Sequence, residues 1–437
     1  MARYTKQDLL FGPLSQGLSQ LEWTFWDIRH HLEQRLPSRL RSVSHRLARE
    51  LKQTFPATAA PDDRQILLYL KQSPATDPLF RHFTLTGAIP DPLIDPPQFR
   101  PVPALDGLGL PVLTTSDDLA AWLALPPLQL TRFADLLGLS ANADSAFAPH
   151  YRHHLIAKRN GTLRLIEEPR PFLKKLQRRI LRDMIAHIPT HPAAFGFCRG
   201  KNCAQAAARH AGEEMVVSFD LSGFFPSIHH HRIYGLFRSF GYPAAVARHL
   251  AGLTTALTPR DVLATAHLAD RDHLTGRHLP QGAPTSPALA NLAAFTLDTR
   301  LAGLARSLGA NYTRYADDLT FSGDAPIANP LQRMVPQIVR DCGFVLNAAK
   351  TRIQPAHRRQ TVTGLVVNRH LNLPRADYDH LKAVIHHLRD PVDPRRADRI
   401  FIDQLAGRIA WFEQVNPTKG AKLREWLANA LQTGTIG

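Results

Sequence analysis

The chain has 437 residues, enough for two or three domains with separate cores, and its 44% hydrophobic and 21% charged residues exclude a disordered protein. Fifty-three Lys and Arg against 37 Asp and Glu leave a formal charge of +16, which favours a polyanionic partner, nucleic acid before an acidic membrane surface. Three cysteines exclude a disulfide framework and suggest free thiols in a reducing cytoplasm; no apolar run approaches the roughly 20 residues that span a bilayer, so no membrane partner is expected.

In chain order, residues 14 to 54 read as helical, with Leu18, Leu21, Phe25, Ile28, Leu32 and Leu36 at three- and four-residue spacing. The proline-rich stretch GAIPDPLIDPPQFRPVPALDGLGLP (87 to 111) blocks helix and central strand alike, which makes it an extended connector and the first boundary. Ser116 then reads as an N-cap for TTSDDLAAWLAL. LIAKRNGTLRLIEEP (155 to 169) predicts a hairpin turning at Asn160-Gly161. A helix over 169 to 188 follows, with Phe172, Leu173, Leu176, Ile180, Met184 and Ile188 on its apolar face. Lys174, Lys175, Arg178, Arg179 and Arg182 lie mostly off that face, as a solvated surface or a phosphate contact. Near the C-terminus, Leu381, Val384, Ile385, Leu388, Leu405, Ile409 and Trp411 predict basic helices. His229–His231 and His386-His387 read as solvated surface rather than metal ligands.

Three segments carry chemistry. EEMVVSFDLSGFFPSI (213 to 228) is a strand ending in one acid, Asp220. ANYTRYADDLTFSG (310 to 323) alternates like a strand yet sets Asp317 and Asp318 at its midpoint, a hairpin with Asp-Asp at its tip. Carboxylates converging from neighbouring strands repel one another, and a divalent cation relieves the conflict; magnesium, a hard ion that keeps waters for phosphates, suits the set. Two such ions about 4 Å apart would serve phosphoryl transfer. Between the acids, LPQGAPTSPALANL (279 to 292) bends tightly into a helix whose body is PALANLAAFTLDTRL and whose start favours an anion.

These elements, in this order, resemble the palm motifs of reverse transcriptases: FDLSGFFPSI the first, LPQGAPTSP the second, YADD the third. KRNGTLRLIEEPRPFLKKLQRRIL is similar to the fingers motifs, LNAAKTRI to the next palm motif, and VTGLVVN stands where the family has its primer grip. Within the family, YTRYADDLTFS, LPQGAPTSP and the Val-Thr-Gly of VTGLVVN resemble the retron enzymes, in particular the myxobacterial kind with a long N-terminal extension. Two departures stand out. AAARH keeps Ala207 and His210 of the retron Asn-Ala-x-x-His but has Ala206 for the asparagine, which bears on RNA recognition. Ser222-Gly223 replace a frequent Lys-Asp.

The resemblance implies an α/β (α+β) right-hand polymerase preceded by a mainly helical extension. Its parts would be extension 1–86, linker 87–111, fingers 112–212, palm 213–368 with part of the fingers, and thumb 369–437. It implies RNA-directed DNA synthesis on a cognate structured RNA that is both template and primer, giving a branched RNA–DNA product used in anti-phage defence. Asp220, Asp317, Asp318 and the Leu221 carbonyl would bind two Mg2+, with Mn2+ as substitute. Phe225 would gate the sugar; Lys158 and Arg164 would clamp the triphosphate, and Gln281 would touch the dNTP. Lys350 would protonate pyrophosphate. Val362, Thr363, Gly364 and His210, with the basic helix, would hold RNA and primer, Gly364 by letting backbones approach closely. An effector or toxin protein is a further partner in such systems. Two other readings use the same motifs: a non-retron bacterial defence or intron-derived reverse transcriptase, and an RNA-binding scaffold with an inactive polymerase site, against which the intact aspartates argue.

Overall fold

The computed structural model describes residues 5–432 except 20, 22, 56–60, 88–96, 137, 140–148, 159 and 160. Its contacts fall into two units, residues 1–189 with 225–293, and residues 190–224 with 294–437.

The first unit opens with five helices, α1 (Lys6–Ser19), α2 (Phe25–Arg35), α3 (Arg41–Thr54), α4 (Asp63–Gln72) and α5 (Asp77–Thr86). Leu14, Leu18, Ile28, Leu32, Leu47, Leu51, Ile66, Leu70 and Leu79 fill their common core. The single helix expected over 14 to 54 is thus three. Apolar periodicity runs through the breaks, but Thr24 caps α2 through the Asp27 amide, and extended Leu36 before Pro37 ends it. The connector's residues 88–96 lie outside the described residues; Phe99 beyond them packs on Tyr242, and Arg100 N–H donates to the Gly241 carbonyl.

Helix α6 (Ser116–Leu123) is capped by Thr115, not Ser116, because Thr115 and Asp118 close a reciprocal capping box. After α7 (Pro127–Ala134), strands β1 (Tyr151–Ala157) and β2 (Leu163–Pro169) pair antiparallel, as the sequence predicts; Asn160 lies outside the described residues. Helix α8 (Pro171–Asp183) stops short of the expected 188, the chain tightening into a 3-10 turn at Ile185–His187. The buried Arg248, on the helix Ala244–Thr254, donates to the carbonyls of Ser19, Leu21 and Pro61, tying the N-terminal helices into this unit. His230 is buried rather than solvated.

The second unit is built on an antiparallel sheet of order β4-β5-β3-β6: β3 (Met215–Asp220), β4 (Asn311–Tyr315), β5 (Asp318–Gly323) and β6 (Arg352–Pro355). Val216, Val217, Phe219, Leu319 and Phe321 are buried in it. Helices Phe295–Ser307 and Ala328–Asp341 pack against the sheet, so the helix expected to run through PALANLAAFTLDTRL is two, Ser286–Ala293 and Phe295–Ser307. A small hairpin, β7 (Thr361–Val362) with β8 (Leu365–Val366), leads to three helices, Arg375–His387, Arg399–Val415 and Pro417–Gln432, around Leu381, Ile385, Leu405, Ile409, Phe412 and Leu423. Among the described residues no helix is long and apolar enough to cross a membrane.

Candidate active site

The three acids meet because of strand register. Asp220 ends β3 directly opposite Asp318, the first residue of β5, so their side chains stand on one face of the sheet as cross-strand neighbours. The hairpin tip is Ala316-Asp317, not Asp-Asp, since Tyr315 pairs with Asp318. Ala316 takes a left-handed φ of 58°, rare for a residue with a Cβ. What holds it there is non-local. The fully buried Arg314 guanidinium bonds both oxygens of Asp298 (2.8 and 2.7 Å) and gives its third donor to the Ala316 carbonyl at 3.0 Å. Gly196 lies so close that a Cβ there would come within 2.5 Å of the Ala316 nitrogen. The Leu221 amide then donates to the Asp317 carbonyl at 2.9 Å, joining tip to β3.

Burial, then the carboxylates of Asp317 and Asp220, push Asp318 up from 3.8 to about 6, with Arg352 and Lys350 pulling the other way. Lys350 Nζ sits 2.9 and 3.0 Å from the two Asp220 oxygens. Ser218, Asp220, Asp318, Lys350 and Arg352 line an open cleft of about 320 Å³. Among the described residues no group of three or more Asp, Glu, His or Cys stands at metal-holding distances. The ligand set Asp220, Leu221, Asp317 and Asp318 is therefore adjacent but not gathered, with an ammonium balancing Asp220. The set still fits a hard divalent cation, being all oxygen and holding a carboxyl whose ionisation its neighbours oppose. Arg352 was not singled out from sequence; its signal was a second cation two residues after Lys350 at the start of a strand.

In the first unit, exposed Arg164 of β2 and half-buried Gln281 line one small pocket with Leu165, Pro226, Asp270 and His278, and Lys158 approaches Asp270 at 3.6 Å. The pocket is fixed from below by a network that sequence reasoning missed. Glu167 accepts from Thr258 Oγ1 (2.9 Å) and from His278 Nε2 (2.7 Å), while its own amide donates to the Gln281 carbonyl at 2.8 Å. Gly282, at φ 134°, leaves no room for a Cβ beside the Glu167 carbonyl. His278 Nδ1 faces the Gly276 carbonyl at 2.8 Å while Nε2 faces the Glu167 carboxylate, an arrangement that favours the protonated ring. Burial works to lower it, but the Glu167 carboxylate outweighs that and holds it above 6.5.

Phe224 is core, buried against Phe344 with the Arg314 guanidinium over its ring, whereas Phe225 is half-buried. Four expectations need correction. His210 is fully buried and bonds Ser322 and Thr313 hydroxyls at 2.7 Å each; burial drops its pKa to about 3, so it pins β4 to β5 and reaches no RNA. Val362 is buried with Ala204 and Val216, and Thr363 Oγ1 donates to the Cys203 carbonyl at 3.0 Å, leaving only Gly364 of the triplet exposed. No other part of the chain lies within 4 Å of a Cβ placed at Gly364, and within the fold its need is φ 84° in the turn. On α8, Lys174 is bonded to Glu168, and Arg179 pairs with Asp183 and covers Trp122, while Lys175 and Arg178 are exposed.

A family model described as reverse transcriptase (RNA-dependent DNA polymerase) matches residues 156–367. The retron Mx65 reverse transcriptase of Myxococcus xanthus is 37% identical over 318 residues, 72% of this chain and 71% of that one. Retron Mx162 reverse transcriptase of the same organism is 36% identical, covering 71% of this chain and 66% of that one. Retron Ec86 reverse transcriptase of Escherichia coli is 32% identical, covering 65% and 81%.

Proposed function

The chain belongs to the retron reverse transcriptases, RNA-directed DNA polymerases, and from that premise we propose that it copies part of one cognate structured RNA into a short DNA that stays joined to it. The observation that carries this reading is the pairing of Asp220 with Asp318 beside Asp317, with the Lys350 ammonium on Asp220.

Asp220, Asp317, Asp318 and the Leu221 carbonyl would hold hard divalent cations, magnesium with manganese as substitute, which supply positive charge to the transferring phosphoryl group. Lys350 has the reach and mobility of a proton donor to the departing pyrophosphate, its side chain being 57% exposed. Arg164 and Lys158 present charge to the triphosphate, and Gln281 an amide from the same pocket. The Phe225 ring excludes a 2′-hydroxyl by volume, which favours deoxynucleotides. Lys175 and Arg178 are the basic-helix residues open to a phosphate backbone. Residues 112–212, 213–368 and 369–437 would act as fingers, palm and thumb, the last gripping the duplex. The product, a branched RNA–DNA, would serve anti-phage defence together with an effector protein.

The test is purification from the native locus, followed by sequencing of the bound nucleic acid with and without ribonuclease and debranching enzyme. Asp317→Ala/Asp318→Ala runs alongside. A discrete short DNA joined to one RNA and lost in the variant is expected. Aspartate-dependent DNA without a branch would discard the joined product, and RNA with no DNA in either sample would discard polymerisation.

A further inference from the structure

The N-terminal helices carry a surface that neither the polymerase site nor the core uses. Trp26, at the start of α2, is 68% exposed, although nothing in a five-helix module of this size requires an indole in water. The Arg29 guanidinium lies 5.6 Å from its ring centroid. The half-buried Phe25 meets Trp26 edge-on at 5.2 Å on one side and His45 of α3 edge-on at 5.2 Å on the other, so one ring ties two exposed ones into a shelf across both helices. On α3, Arg41 and Arg49 stand four residues before and after His45, hence on the same face, and all three are exposed. Residues 25–54 hold seven Lys and Arg against three Asp and Glu. Of the acids, Glu33 and Glu50 are already paired with Arg29 and Arg46, and the Asp27 carboxylate takes the Thr24 hydroxyl.

We propose that the α2–α3 face is a binding surface for single-stranded RNA: a base stacks on Trp26, with Arg29 and His45 beside it, and Arg41 and Arg49 meet the adjoining phosphates. Every base has a π-face and every linkage a charge, so an exposed aromatic between cations suits a single strand without demanding a sequence. A protein partner would call for an apolar rim around the indole; beyond Phe25 the groups placed around it here are the Arg29 guanidinium and the His45 ring instead. The polymerase reading enters only in making RNA the polyanion at hand. The module would retain flanking, uncopied RNA while another part of the same RNA is used as template.

The experiment takes the full chain, first saturated with an RNA template annealed to a DNA primer, and measures binding of a labelled 20-nucleotide single-stranded RNA across a salt series. Trp26→Ala should weaken binding about tenfold, as loss of one stacked base does, without changing the salt slope. Arg41→Gln/Arg49→Gln should make the slope of log K against log salt shallower by about 1.4, roughly 0.7 for each phosphate that is no longer neutralised. Ultraviolet cross-links should map to α2 and α3, and both variants should extend the annealed primer at the wild-type rate with unchanged thermal unfolding. Wild-type affinity and slope in both variants overturn the proposal, as does a Trp26-dependent protein partner found together with unchanged RNA binding. Loss of primer extension by the wild type itself would instead strike the polymerase reading and leave the binding result standing.

Discussion

Asp318 is the residue at which the proposed metal-binding role and stability oppose each other most openly. Its carboxyl is half-withdrawn from water, faces two others, and titrates near 6 in the fold against 3.8 in the unfolded chain. Between those values the unfolded state has released its proton while the folded state still holds one. Stability therefore falls as pH rises from about 4 through about 6, and the penalty is complete above that. Its ceiling is about 3 kcal/mol, reduced by relaxation and partial exposure to on the order of 1 kcal/mol. Asp318→Asn should thus abolish primer extension and yet raise the stability of the metal-free protein. Urea unfolding at pH 8 should show the gain, and unfolding at pH 4 should not. A variant less stable than wild type at pH 8 would mean that the crowding of carboxylates is relieved by something other than protonation. Magnesium added at pH 8 should stabilise the wild type more than the variant, because the wild type has the larger repulsion for the ion to remove.

At the scale of elements, the hairpin that carries Asp317 and the pocket under Arg164 are each held by a buried ionic network, with different consequences. Arg314 and Asp298 are both fully buried. Asp298→Ala leaves an uncompensated guanidinium and should cost about 3–5 kcal/mol. The double change Arg314→Met/Asp298→Leu should recover most of that stability in chemical unfolding, but not primer extension, since methionine has no donor for the Ala316 carbonyl and the Asp317 tip is released. Full activity in the double variant would show that the tip needs no such support. The Glu167–His278 pair is instead sensitive to pH. His278, raised above 6.5, contributes fully below that value and loses its contribution as pH climbs through its folded pKa. Glu167, where burial is overcome by His278, lies below 4.5 and loses its contribution only as pH falls through that lower value. The clip is thus whole between the two and loosens on the alkaline side, with His153, Thr258 and Arg277 the other groups around it. The KM for dNTP should rise at alkaline pH while kcat changes less, and His278→Gln should raise KM at neutral pH and flatten that limb. An unchanged KM profile in His278→Gln would separate the clip from the nucleotide.

These networks also mark where sequence reasoning stops. Strands β3 and β5 were legible because alternation and β-branched residues report locally on a pleated sheet, and Asp220, Asp317 and Asp318 could be named from their ends, whereas Lys350 was named through the family resemblance alone. The true tip, Ala316-Asp317, was not legible, because a left-handed alanine depends on Gly196 and Asp298, distant in sequence. Glu167 and His278 were invisible for the same reason: one of two adjacent acids at the end of a strand and a histidine two residues before a proline become a pair only when the chain brings them within 2.7 Å. His210 misled in the other direction, its motif position suggesting contact with RNA while its ring serves the sheet.

For the whole molecule, the charge of +16 is a statement about affinity only where the cations remain open to a partner. Helix α8 contains both kinds within one turn of each other. Lys174 and Arg179 are committed to Glu168, Asp183 and Trp122, whereas Lys175 and Arg178 face solvent. If the helix tracks a phosphate backbone, Lys175→Gln/Arg178→Gln should weaken primer–template binding and make its salt slope shallower by about 1.5, at roughly 0.7 to 0.9 per charge. Lys174→Gln/Arg179→Gln should change the slope by less than half of that and lower the unfolding temperature instead, because it removes interactions within the fold. Equal slopes for the two double variants would mean that α8 feels the nucleic acid only through the general field of the protein, and that the basic stripe, however well patterned, is a solvated face.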